Sequence, residues 1–210
     1  MRVANKTRKR KNIKKKTTRN KTYKNNDYMS GQGMLTSVWG PPLWHVLHTI
    51  SFNYPINPSK LQKKKYKNFI RNLKYILPCK YCRINLRKNF KQLPITNKDM
   101  KNRHNFSLYV YKLHELVNKM LHKKSNLTYE EVRERYEHFR SRCTKDTKKN
   151  KKYEIGEYRF KHNKTKKKKE KGCVEPLYGK KAKCLIKIVP KEDKSKTFQI
   201  DKECIKKRIN

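Results

Sequence analysis

Apolar residues concentrate in one stretch of this chain, between Ser37 and Cys143, and that confinement decides what can fold. The flanks carry runs such as RKRKNIKKKTTRNKTYKNN and RFKHNKTKKKKEKG, too charged and too poor in large apolar side chains to bury a core. The 210 residues therefore divide into a disordered basic arm (1–36), one folded domain (37–143), a charged linker (144–171) and a C-terminal appendage (172–210) bearing Cys173, Cys184 and Cys204. In the appendage, KCLIKIVP and TFQI read as two short strands of a hairpin. Such a hairpin is marginal alone, and a disulfide among its cysteines would staple it.

Within the domain the pattern is helical throughout, and no βαβ unit is present. The spacing predicts a first helix over PPLWHVLHTISFNY, with its prolines in the first turn. A second, over residues 60–77, is capped by Ser59 and buries Leu61, Phe69, Leu73 and Leu77. Pro78 breaks the chain, and a third, short helix starts at the next residue. The fourth, from Asn105 to Lys123, has an uninterrupted stripe of Phe106, Val110, Leu113, Val117, Met120 and Leu121. A fifth begins at Thr128, where T-x-x-E makes a capping box with Glu131, and runs to near Cys143. The fold class is all-α: a four-helix bundle plus a short fifth helix.

The formal net charge of +43 implies non-specific, salt-sensitive polyanion binding by the basic arm. No apolar run approaches the roughly 18 residues of a membrane span, and the N-terminus lacks the apolar segment of a classical secretory signal. Without such a signal, a CxxC leans toward metal binding or redox chemistry.

That CxxC lies in YILPCKYCRINL, as Cys79 and Cys82. A zinc site needs four ligands, and these two are the one close cysteine pair; no metal ligand set is assigned. A purely structural disulfide closing so small a loop stabilises little. For a redox pair, a helix beginning at Cys79 aims unpaired N–H groups and a positive dipole end at the sulfurs, and Lys80 and Arg83 add positive charge. The rival reading from another class is a basic nucleic-acid-binding module with a zinc site.

The order WGPPLWHVLHTISFNYP, LPCKYC, LHELVNKMLHKK and an aromatic-bearing helix ending in cysteine resembles the FAD-linked sulfhydryl oxidases of the Erv/ALR family, most of all those of large DNA viruses. The resemblance covers residues 38–143. It implies a helical bundle holding FAD at its mouth, oxidation of protein dithiols through the CxxC, and transfer of the electrons to molecular oxygen to give hydrogen peroxide. Gly40 and Trp44 match the family's G-x-x-x-W, His48 its following histidine, and Tyr54 the tyrosine before proline. His114, Val117, Asn118, Leu121 and Lys123 match H-N-x-V-N-x-x-L-x-K, with Glu115 where asparagine is usual; Pro41 stands where arginine is common. Tyr136 and Phe139 stand near a family tryptophan that lies against the cofactor.

The residue chemistry agrees with a flavin, which needs flat apolar walls and a few polar atoms; Lys123 suits a phosphate. The resemblance assigns Cys79 to the substrate and Cys82 to the flavin. Family members often carry one member of a structural disulfide where Cys143 stands, but the usual upstream partner is missing from HKKSNLTYEE. Cys143 therefore stays free, pairs with a C-terminal cysteine or bridges two subunits. Cys173 and Cys184 are either the staple of the hairpin or a shuttle pair that relays electrons to the CxxC. The resemblance further implies a homodimer, a protein dithiol substrate such as a thioredoxin-like carrier or a viral structural protein, and a place in host cytoplasm or virion if the chain is viral.

Overall fold

Local capping chemistry starts four of the five helices. In the computed structural model, which describes residues 29, 31, 33–142, 172–193, 195 and 199–204, these are α1 (Thr36–Phe52), α2 (Lys60–Ile76), α3 (Lys80–Gln92), α4 (Arg103–Met120) and α5 (Tyr129–Glu137). Ser59 and Gln62 close a reciprocal capping box on α2, with Gln62 N donating to Ser59 Oγ at 3.2 Å and Ser59 N to Gln62 Oε1 at 2.8 Å. Thr128 and Glu131 do the same for α5, and Asn102 Oδ1 caps α4. α3 is capped by Cys79, whose sulfur accepts the Cys82 N–H at 3.2 Å. Each cap answers orphan N–H groups of a first turn.

α1 packs on α4 and α5, α2 on α3, and α3 on α4, giving the all-α bundle with its short fifth helix. These contacts lie within a unit running from Gly33 to Asn210; residues 1–32 form a separate unit, of which Met29 and Gly31 are described. The core is built around Phe106, Tyr109, Val110 and Leu113 of α4, packed with Leu47, Tyr54, Ile70, Leu73, Leu77, Leu86, Ile95 and Met100. No described helix is long and apolar enough to cross a membrane.

Several boundaries differ from the sequence expectation. α1 begins at Thr36, so Pro41 and Pro42 lie inside it rather than at its start. The carbonyls they leave without an intrahelical donor, of Ser37 and Val38, sit in the first turn. On α2, Ile70 is buried in place of Phe69, and Leu61 is 63% exposed. The buried stripe steps 70, 73, 77, and Phe69 stands about a quarter turn away. The α4 stripe ends early, with Met120 and Leu121 exposed.

α5 stops at Glu137 because Arg140 turns back. Its guanidinium pairs with Glu137 and donates from Nη2 to Phe52 O at 2.7 Å, tying the ends of α5 and α1. The chain leaves as a two-residue strand, β1 (Ser141–Arg142), antiparallel to β2 (Glu175–Pro176). The short strand pairing thus joins the appendage to the bundle. Residues 183–190, expected as a hairpin strand, carry none, and part of TFQI lies outside the described residues. Cys143, residues 144–171 and residues 1–28 lie outside them too. Cys173, Cys184 and Cys204 are free thiols. Gly179, at φ +63°, lets the Cys204 backbone approach: a Cβ there would lie 2.7 Å from its carbonyl.

Arg140→Ala should lower unfolding stability by about 2 kcal/mol, since it strips charge-assisted bonds from Glu137 and Phe52 O. A urea midpoint unchanged from wild type would contradict that role.

Candidate active site

Leu77 caps the end of α2 and Cys79 caps the start of α3, with Pro78 between them, which places the half-buried CxxC at the corner between the two helices. The segment before α1 closes over this corner. Gly33 forms an antiparallel bridge with Cys79, and Met34 N donates to Pro78 O at 2.7 Å. Trp39 Nε1 holds Met34 O at 3.0 Å. Only glycine fits at position 33. Its φ is +144°, and a Cβ would lie 2.5 Å from Pro78 O and 2.8 Å from Cys79 Cα. The Thr36 hydroxyl lies 3.7 Å from Cys82 Sγ. Gly33 and Thr36 are absent from the sequence-derived site; SGQGM reads as a flexible joint, and its second glycine is the one signal that a backbone comes close there.

The two thiols are inequivalent. Cys82 packs against the hydrophobic core, whereas Cys79 sits at the cap. Cys79 is held below the ordinary thiol value, chiefly by the hydrogen bond it accepts from the Cys82 thiol. Cys82 is pushed above it, first by burial and then by giving that bond; the Thr36 hydroxyl pulls it back down.

A second cluster gathers on α1, α4 and α5. Trp44 and His114 stack with centroids 4.0 Å apart and planes 6° apart. His48 Nε2 and His114 Nδ1 share a proton position at 3.0 Å, so one donates and the other accepts. Tyr136 stacks on Phe52 at 5.4 Å and on His48 at 5.2 Å, and its hydroxyl lies 3.3 Å from His45 Nδ1. The α1 members Trp44, His48 and Phe52 recur every four residues, hence on one face. Burial lowers His48 to about 3, with help from His114 and His45, and lowers His114 to about 4. Burial pushes the Tyr136 hydroxyl up to about 12.

The remaining expected site residues fall into four groups. Val117 and Asn118 are half-buried near the end of α4, where Asn118 Nδ2 donates to Glu115 Oε1 at 3.1 Å. Leu121 and Lys123 are exposed just beyond it, and Lys123 N donates to Asn118 O. Gly40 is half-buried on α1, and a Cβ there would make an ordinary 3.6 Å contact with Thr36. Tyr54 belongs elsewhere. It is fully buried against Tyr66 and Phe106, its hydroxyl donates to Met100 O, and it presents no surface to a ligand. In this structure it is a member of the hydrophobic core.

The α1–α4–α5 cluster fits a flavin nucleotide. It offers flat aromatic faces, a lysine for phosphate at Lys123, and the buried Nδ1 of His48, which lacks a hydrogen-bond partner. Among the described residues no three His, Cys, Asp or Glu side chains gather as a metal site, so the zinc-module reading gains no ligand set from them.

Residues 41–137 match the family model described as Erv1 / Alr family. Over 99 residues the chain is 35% identical to a probable FAD-linked sulfhydryl oxidase of Acanthamoeba polyphaga mimivirus, covering 47% of this chain and 68% of that protein. It is 29% identical over 99 residues to an FAD-linked sulfhydryl oxidase of African swine fever virus, covering 47% and 80%. To the mitochondrial FAD-linked sulfhydryl oxidase ERV1 of Saccharomyces cerevisiae it is 27% identical over 84 residues, covering 40% and 43%. The solved yeast Erv1 core superimposes with a TM-score of 0.45 at 21% identity, covering 60% of this chain and 95% of that one. With its family motifs in order from Gly40 to Tyr136 and a viral relative matched over 68% of its length, the chain belongs to the Erv1/Alr family.

Proposed function

We propose that this chain is an FAD-linked sulfhydryl oxidase that forms disulfides in protein dithiols through Cys79 and Cys82, the net reaction being dithiol plus oxygen to disulfide plus hydrogen peroxide. The observation that carries the reading is the pair of inequivalent sulfurs at the start of α3, one at the cap and one packed inward. Residues 37–143 hold the oxidase, and the tails are accessory.

From the oxidised pair, a substrate thiolate attacks Cys79 Sγ. The new bond is a mixed disulfide; the bond broken is Cys79–Cys82, and its electron pair leaves on Cys82. In that state Cys82 no longer gives its hydrogen bond to a Cys79 thiolate, the bond that, after burial, raised its pKa. The Thr36 hydroxyl and the helix N-terminus remain to stabilise it. The second substrate thiol then attacks the substrate sulfur, releasing the substrate disulfide and Cys79 as thiolate, with its proton passing to solvent. Trp44, His48, His114, Asn118, Lys123 and Tyr136, flanked by Gly40, Val117 and Leu121, would hold FAD. When bound, that group supplies a two-electron acceptor which oxygen reoxidises to give hydrogen peroxide. His48 and His114 stay neutral at physiological pH, so His48 Nδ1 is free to give or accept one hydrogen bond there.

The substrate is a protein dithiol on a thioredoxin-like carrier or a viral structural protein. The viral relatives support a viral setting in host cytoplasm or virion, and a homodimer is the working assembly. The test is oxygen uptake by purified full chain with dithiothreitol. The expected result is a yellow protein producing one peroxide per dithiol consumed; a protein that stays colourless and inert after FAD is supplied contradicts the proposal.

Thr36 yields a separate expectation. In a Cys79→Ser background, Thr36→Val should raise the Cys82 pKa, and Thr36→Ser should restore it. Ultraviolet thiolate absorbance against pH reads this directly. An unshifted titration in Thr36→Val would remove Thr36 from the site.

A further inference from the structure

From Asp27 to Asp99 the chain contains no acidic residue between the two, so every charged side chain of α2 and α3 is Lys or Arg. No ion pair among the described residues neutralises them. Among the described residues the ion pairs join Arg133 to Glu130, Arg140 to Glu137, Lys180 to Glu203 and Lys181 to Glu175, all on α5, just after it or in the appendage. Four of these cations lie within five residues of the CxxC in sequence. Lys80 follows Cys79 directly and is exposed. The Arg83 guanidinium donates to Leu77 O, two residues before Cys79. Lys74 Nζ and Arg87 Cζ both lie over the Tyr75 ring, at 4.9 Å and 5.6 Å from its centroid. Two like charges share one exposed ring whose face returns a modest cation–π attraction, and among the described residues no ion pair balances them.

The same corner exposes large apolar side chains. Tyr75 is 58% exposed, Ile76 66% and Tyr81 69%, flanking Pro78 and Cys79 on both sides. Aromatic side chains among cations, around a reactive sulfur, have the composition of a docking surface rather than of a solvated helix face.

We propose that Lys74, Tyr75, Ile76, Lys80, Tyr81 and Arg87 form the substrate-docking rim of the CxxC and select protein dithiols whose cysteines lie in acidic segments. This rests on the oxidase reading and adds the substrate class to it. The cations raise the local concentration of an acidic partner and orient it; the exposed tyrosines and Ile76 supply contact once it arrives. The partner brings its two thiols and leaves with a disulfide, its two electrons and two protons passing to the oxidase and finally to oxygen.

The experiment compares two synthetic dithiol peptides, identical except for Glu or Lys beside their cysteines, with dithiothreitol as uncharged control, on the FAD-loaded full chain. The Glu peptide should show a kcat/KM at least about 10-fold above the Lys peptide at low salt, with the advantage shrinking at high salt. In the variant with Lys74→Glu and Arg87→Glu the preference should invert while dithiothreitol turnover holds. Equal kcat/KM for both peptides overturns the proposal, as does a Glu preference that the double variant leaves untouched, which would trace it to the basic arm. Loss of dithiothreitol turnover in the wild-type protein would instead overturn the oxidase reading itself.

Discussion

Replacing either Cys79 or Cys82 by serine should lower oxygen consumption with any dithiol by roughly a thousandfold or more, because neither sulfur can close the cycle alone. The two variants fail differently. Cys82→Ser keeps the sulfur at the cap, where the substrate arrives and where the helix N-terminus favours its thiolate. It should accumulate mixed disulfides with an activated thiol reagent through Cys79. Cys79→Ser keeps the sulfur packed against the core beside Thr36, and should react with the same reagent much more slowly. Cys184→Ser, a change at an exposed thiol of the appendage, should leave turnover of dithiothreitol intact. Mass spectrometry of the trapped species separates the roles. Faster trapping by Cys79→Ser would reverse them, and near-normal oxygen uptake by either variant would remove the CxxC from the reaction.

The second large effect is on stability. His48 and His114 ionise near about 3 and about 4 in the folded protein, both below the 6.5 of an unperturbed histidine. The unfolded chain therefore takes up these protons first as pH falls. The stability they contribute is complete above about pH 6.5 and is lost progressively as pH falls toward 4 and then 3. Each unit of pH in that window costs on the order of 1 kcal/mol per group, so Tm should fall by roughly 10 °C between pH 7 and pH 5. Between pH 7 and pH 5 carboxylates add little to this loss, since they titrate lower. General repulsion within so basic a chain is screened by salt, whereas the burial-driven loss persists at high ionic strength. A Tm flat from pH 7 to pH 5 in high salt would show that the His48–His114 pair takes up protons in place.

What the sequence discloses follows from how local each interaction is. The caps at Ser59 and Thr128 are legible because donor and acceptor lie three residues apart. The Trp44–His48–His114 cluster is legible through motif spacing on two helices, each with a fixed period. By contrast, Thr36 meets Cys82 across 46 positions, and Ser141 pairs with Pro176 across a linker; no periodicity encodes either. A motif position and a core position look alike in sequence at Tyr54, and its burial against Tyr66 and Phe106 becomes visible only in the fold. Phe69 and Ile70 are both apolar neighbours, and which one faces inward depends on how α2 rolls onto α3.

The most direct measurement is anaerobic addition of dithiothreitol to the FAD-loaded full chain, followed by visible absorbance. Electrons that travel from dithiol through Cys79 and Cys82 to the flavin should bleach the visible band in the wild-type protein, and admitting air should restore it with release of hydrogen peroxide. The same addition to Cys79→Ser should leave the band in place. Equal bleaching in both proteins would mean that the dithiol reduces the flavin directly, and the redox role assigned to the CxxC would be wrong.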